Sequence, residues 1–149
     1  MNFKKILTIA LILATICITL TAISASNIET IEMGKITKGT VGISHSSGES
    51  DETYDFDIEV DISKLSDSDK KTLEDIIKDD GTVFVVNATS NTGKVTFSDY
   101  MGIDEAYING NTLVIKNSLK LPYVGGSQDS YQIDTISLNT TDGVTYTAN

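Results

Sequence analysis

Tyr54-Asp55-Phe56-Asp57-Ile58-Glu59-Val60-Asp61-Ile62 alternates between apolar and acidic side chains without a break. Successive side chains of an extended chain point to opposite sides. A period of two therefore buries Tyr54, Phe56, Ile58, Val60 and Ile62 on one face of a sheet and leaves Asp55, Asp57, Glu59 and Asp61 on a wet face.

The next residues read as a helix. The Ser66 hydroxyl is placed to cap a free backbone N–H, and Asp67 and Asp69 sit against the positive end of the helix dipole. Leu73, Ile76 and Ile77 fall on one face, while Lys70/Glu74, Lys71/Asp75 and Glu74/Lys78 pair across a turn on the other. With Gly81 as a stop, the spacing predicts one short helix from about Asp67 to about Lys78.

Hairpins follow. Thr82–Thr89 and Lys94–Asp99 are β-rich runs joined by Ser90-Asn91-Thr92-Gly93, and Glu105–Ile108 joins Thr112–Lys116 through the turn pair Asn109-Gly110. Tyr131–Leu138 and Val144–Ala148 repeat the arrangement around residues 139–143. Upstream, Asn27–Val41 has irregular apolar spacing and predicts one or two short strands. Ser44–Glu52 is a Ser, Gly and acid loop, and Leu119–Ser130, with the only Pro (Pro122), reads as a long loop or a sheet-crossing connection. The expected class is mainly β, an antiparallel β-sandwich (Ig-like) or small barrel of about 7–9 strands carrying the one helix.

The chain opens with Lys4 and Lys5, an apolar run from Ile6 to Ile23, and small residues at Ala22, Ser24 and Ala25. Basic, apolar and small regions in that order are an export signal. Cleavage after Ser24 places Ala22 at the minus-three position. The apolar run is longer than the roughly 7–15 residues of a signal core and close to the roughly 17–25 that span a bilayer, so a retained anchor stays open beside cleavage. Residues 1–25 are thus a signal peptide or N-terminal membrane anchor. Residues 26–149 are expected to form a single extracytoplasmic domain, secreted or on the cell surface, that meets the membrane only through that segment. Cys17 lies inside the run, and the bulky Ile16 before it does not fit a lipidation box.

The leader holds the only Cys, so the remainder is not a disulfide scaffold. The net charge of −10 becomes −12 once Lys4 and Lys5 are set aside, and every basic residue is Lys. Such a surface repels phosphates, which excludes a nucleic-acid partner and disfavours anionic lipid.

Little assembled chemistry is visible. The single His, His45, stands among Ser44, Ser46 and Ser47, but triad members converge from separate parts of a chain. One His and no exported Cys leave no zinc site. Ca²⁺ is the one cofactor with a candidate, the row Asp55, Asp57, Glu59 and Asp61. Its neighbours are roughly 6.5–7 Å apart, too far to enclose an ion that needs about 6–8 oxygens, without help from Asp51 and Glu52. The same spacing suits an inverting glycosidase, but a wet row lacks the burial that raises a general acid's pKa, and there is no Trp platform. Thr92-Gly93-Lys94 lacks the remaining residues of a phosphate loop. Leu121-Pro122-Tyr123-Val124-Gly125 has Val124 where a sorting signal needs Thr. Asn87-Ala88-Thr89 and Asn139-Thr140-Thr141 are N-glycosylation sequons at Asn87 and Asn139.

Asn91-Thr92-Gly93 and Gly125-Gly126 resemble fragments of the first two inhibitory loops of the chagasin-like inhibitors of cysteine proteases, themselves small exported β-sandwiches. The Pro of the first motif and the later Arg-Pro-Trp motif have no counterpart, so these residues do not define membership.

Two functions follow. The first is a non-enzymatic, adhesion-like or accessory domain of the cell envelope that binds an extracellular protein or glycan. The second is a secreted protease-inhibitor-like regulator that needs Ser44–Glu52, Ser90–Gly93 and Leu119–Ser130 gathered at one end. A third, a carboxylate hydrolase, needs a concave pocket holding two acids.

Overall fold

The structure, a computed structural model, describes residues 29–101, 106–122 and 130–149. The leader expected at residues 1–25, with its cleavage and anchor alternatives, lies outside the described residues, as does Glu105. No helix among the described residues is long and apolar enough to cross a membrane.

Among the described residues, strands β1 (Thr30–His45), β2 (Asp51–Asp61), β3 (Val83–Ser90), β4 (Gly93–Tyr100), β5 (Ala106–Asn109), β6 (Thr112–Pro122), β7 (Ser130–Asn139) and β8 (Thr145–Ala148) accompany one helix, α1 (Asp67–Ile76). The fold is mainly β. All the strands belong to one eight-stranded sheet in the order β4-β3-β7-β8-β1-β2-β6-β5, with a further pairing of β7 on β1.

The barrel alternative is not formed, because the sheet ends β4 and β5 do not pair with each other. Side chains nevertheless join strands that are not neighbours in the sheet. Phe97 of β4 meets Tyr54 and Phe56 of β2 at ring-centroid distances of 5.2 and 5.3 Å, and Phe56 meets Phe84 of β3 at 5.6 Å. These ring contacts bring β4 and β3 against β2, a strand that neither of them pairs with. The sheet curls over its own core instead.

Nor is the pairing wholly antiparallel. β1 pairs in parallel with the short β8 over Thr30–Gly34 and antiparallel with β7 over Thr40–Gly42, so β8 is a wedge between two strands that meet beyond it. β1 is a single 16-residue strand where one or two short ones are expected. Its register shifts at Glu32/Gly34 and Ile36/Lys38, and each shift breaks the alternation that marks a strand in the sequence. At the first shift Gly34 has φ +150°, and a Cβ there would lie 1.9 Å from the Asp61 carbonyl oxygen.

β2 follows its alternation, with Tyr54, Phe56, Ile58, Val60 and Ile62 all in the core. The loop before it is shorter than expected, since β1 runs to His45 and β2 begins at Asp51. β6 continues past Lys116 to Pro122, paired with β2 from Asp61↔Thr112 to Asp51↔Pro122. Only residues 123–129 of the expected Leu119–Ser130 loop remain beyond strand ends, and they lie outside the described residues. The β5–β6 turn is one residue later than Asn109-Gly110. Asn109 pairs with Thr112, and Gly110, at φ +60°, takes the first central position of the turn.

Ser66 caps α1 through a 3.1 Å bond from the Asp69 N–H. The helix closes at Ile77, before Gly81, because the Thr82 hydroxyl donates to the Ile76 carbonyl (2.9 Å) and the turn tightens over Lys78 and Asp79. Lys70, expected opposite Glu74, donates to Asn111 Oδ1 at 2.8 Å and ties the helix to the β5–β6 turn.

Leu73 and Ile77 are buried, while Ile76 is only partly so. Leu73→Ala is therefore expected to lose about 2–5 kcal/mol in chemical denaturation. A Leu73→Ala protein as stable as the parent would place the helix elsewhere.

Candidate functional site

Strand direction decides where the connections lie. β1 rises to His45, opposite Glu52, and residues 46–50 join it to β2. β6 runs antiparallel to β2 and reaches Pro122 opposite Asp51. β7 begins at Ser130, opposite Gly42, and its Gln132 stands opposite Thr89, next to the Asn91-Thr92 turn of the β3–β4 hairpin. Residues 46–50, residues 91–92 and the strand ends Pro122 and Ser130 thus gather at one end of the curled sheet. The β5–β6 turn bonded to α1 marks the other end.

Beneath the first end lies a group the sequence reading misses. Glu52, expected in a loop, is fully buried, and its Oε2 accepts the Tyr54 hydroxyl at 3.0 Å. The signal is phase, because Glu52 stands two residues before Tyr54 and so points inward with it. An acid in an inward position runs against the hydrophobic code, which hides it. Phe97 links the Tyr54 ring to Tyr131 of β7, 5.8 Å from Phe97.

Burial, followed by the hydrogen bond to Glu52 and its charge, pushes the Tyr54 phenol up to about 12. A raised folded pKa holds its stabilisation in full below the unfolded value near 10 and loses it as pH rises through about 12. Alkaline unfolding over that interval, followed by tyrosinate absorbance, is the expected outcome. A Tyr54 that titrates near the ordinary phenol value of 10 would contradict the buried pair.

The row Asp55, Asp57, Glu59 and Asp61 lies along the outer face of β2, spread out as expected. Asp55 accepts the Ser118 hydroxyl at 2.5 Å. Asp57 pairs with Lys38 at 2.6 Å. The hydrogen bond from Lys38 holds the Asp57 carboxyl below the ordinary carboxylate range against the opposing effect of burial, with the charges of Lys38 and Lys116 adding to it. Asp61 is lowered by the backbone N–H of Ser63, 2.9 Å away. At Glu59 the backbone carbonyl accepts the Thr37 hydroxyl. Three of these carboxylates serve cross-strand or local bonds, and no three Asp, Glu, His or Cys side chains among the described residues are grouped to hold a metal ion.

Because the folded pKa of Asp57 is depressed, its contribution is present above the unfolded value and is lost as pH falls through the folded one. Lys38→Met is therefore expected to flatten the acid limb of the stability curve, in thermal melts run from neutral to acid pH.

His45 is exposed at the gathered end, with Nδ1 3.3 Å from the Asp51 carbonyl. Asn87 sits mid-strand on β3. Its Nδ2 donates to Thr135 (2.9 Å) and its Oδ1 accepts from Thr96 (2.7 Å), so the sequon amide bridges three strands. Asn139, at the end of β7, accepts the Thr145 hydroxyl at 3.0 Å.

A groove of about 530 Å³ on the outer face of β7, β8 and β1 is lined by Thr30, Thr135, Ser137 and Thr147 and holds a single acid, Glu32. A smaller one of about 210 Å³ over Gly34 holds both Glu32 and Asp61, between Lys35 and Lys64. The Asp61 carboxyl in this groove is held below the ordinary carboxylate range, the opposite of what a general acid needs.

The chain matches no protein-family model, no curated protein and no solved structure. The site therefore rests on its own geometry.

Proposed function

We propose that this protein is a non-enzymatic extracytoplasmic binding module, an adhesion-like or accessory domain of the cell envelope. It is read as an Ig-like, sandwich-type scaffold that holds an extracellular protein or glycan at the end bearing residues 46–50 and 91–92 and the strand ends Pro122 and Ser130. The observation that carries this is the gathering of those connections over a floor braced by Glu52, Tyr54, Phe97 and Tyr131. Connections on a rigid sheet are where binding residues concentrate, because they vary without disturbing the core. The apolar leader supports export, and the acidic surface supports solubility there.

The test immobilises the protein and captures partners from its own cell surface, with a parallel glycan array. The expected result is a retained partner that is lost when Ser46, Ser47 and Glu49 are replaced by Ala together with Asn91 and Thr92. Retention that survives these changes would move the site elsewhere.

The same gathering favours a second reading, a secreted protease-inhibitor-like regulator inserting these loops into a protease cleft. Titration against a panel of cysteine and serine proteases separates the two. Stoichiometric inhibition supports the regulator, and full protease activity at equimolar protein removes it.

A further inference from the structure

β4 ends the sheet, and among the described residues nothing pairs with its other side. The parity of its backbone groups is set by two bonds. Met101 N–H donates to the Thr82 carbonyl, in register with β3, so odd-numbered residues of β4 face β3 and even-numbered ones face outward. Tyr100 N–H confirms this, since it turns away from β3 and is closed off by Asp99 Oδ1 at 2.8 Å. Among the described residues, the N–H and C=O groups of Lys94, Thr96 and Ser98 meet no partner strand and form a row of outward donors and acceptors. This stretch has no Pro and no bulge, and Lys94 is the one edge-blunting residue among its outward positions.

We infer that this edge pairs antiparallel with the same edge of a second copy of the chain, about a two-fold axis through Thr96. The pairing sets Thr96 against Thr96 and Lys94 against Ser98 of the second copy, each pair exchanging backbone hydrogen bonds, and leaves the already closed Tyr100 N–H at the margin. It opposes no like charges. No Lys faces a Lys, and Lys94 lies diagonally across from Tyr100 of the second copy, a ring 63% exposed and suited to receive an ammonium on its face.

The rest of the molecule resists such an approach. The net charge of −10 repels a second copy, the outer face of β2 carries its acidic row, and β4 holds one Lys and one Asp. At the opposite side of the sheet β5 has only four residues, and β6 beyond it carries Lys116, Lys120 and Pro122. A two-fold through Ser118 there would oppose Lys116 to Lys120. Paired through β4, the two gathered loop ends point in opposite directions, so the dimer would present its binding surfaces at both poles.

Sedimentation velocity of the full chain across a wide concentration range tests this. Thr96→Pro removes the outward N–H together with the Thr96 hydroxyl's bond to Asn87 Oδ1, while the backbone ladder to β3 keeps its bonds; it is expected to raise the dimer dissociation constant at least about tenfold. Thr96→Lys and Thr96→Glu place like charges on the axis and should each be monomeric, while their equimolar mixture recovers the dimer. Folding failure cannot produce that recovery. A parent chain that is monomeric throughout, a dimer indifferent to Thr96→Pro, or an edge found covered by a strand of a different protein would overturn the inference.

Discussion

Gly34→Ala is expected to unfold the protein or to lower its stability by about 4 kcal/mol or more, in the exceptional range for a single substitution. Two costs coincide at this position. The backbone stands at φ +150°, which L side chains rarely adopt, and the added Cβ would lie 1.9 Å from the Asp61 carbonyl oxygen. That oxygen belongs to the last residue of β2, so relief needs a shift of strand backbone and not of a flexible side chain. The shift would also disturb the parallel pairing of β1 with β8, where Gly34 stands opposite Ala148. Circular dichroism and urea denaturation of the variant check this. A variant within 1 kcal/mol of the parent would mean that β1 does not approach Asp61 as described.

Phe97→Ala is the second large effect, about 3–5 kcal/mol. Phe97 is 5% exposed and contacts Tyr54, Phe56 and Tyr131, joining β4 to β2 and β7. Its truncation opens a cavity between layers whose hydrogen bonds run through other strands, so the space cannot close by a simple slide. The loss should also bring the Tyr54 phenol closer to its ordinary value, because burial is the main cause of its elevation. A stability measurement and an absorbance titration on one variant thus read the same contact. Loss of stability with an unmoved Tyr54 would separate the ring cluster from the buried pair.

The contrast between β2 and β1 shows what local sequence carries. β2 is legible because every apolar residue from Tyr54 to Ile62 points one way, and α1 because Ser66, Leu73 and Ile77 keep helical spacing. The hairpins are legible from the runs flanking Asn91-Thr92 and Gly110. β1 is obscured by its own register shifts, which interrupt the alternation at Gly34 and Lys38. β6 is underestimated because Lys116, Asn117, Ser118 and Lys120 dilute an alternation that continues through Leu119 and Leu121. The parallel wedge of β8 has no local signature, since it depends on Thr145–Ala148 meeting residues far away in the chain. The candidate site divides in the same way. Its connections are visible one by one as turn-forming stretches, but their gathering follows from strand direction. Glu52, the buried acid beneath them, contradicts the pattern that identifies its own strand.

The claim on which the site depends is that the sheet curls until β4 lies over β2. Nuclear Overhauser contacts between the Phe97 ring and the rings of Tyr54 and Phe56 measure this directly. The structure predicts strong cross-peaks to both, at centroid separations of 5.2 and 5.3 Å. Their absence, with Phe97 in contact only with side chains of β3, would describe an open sheet and dissolve the gathered end.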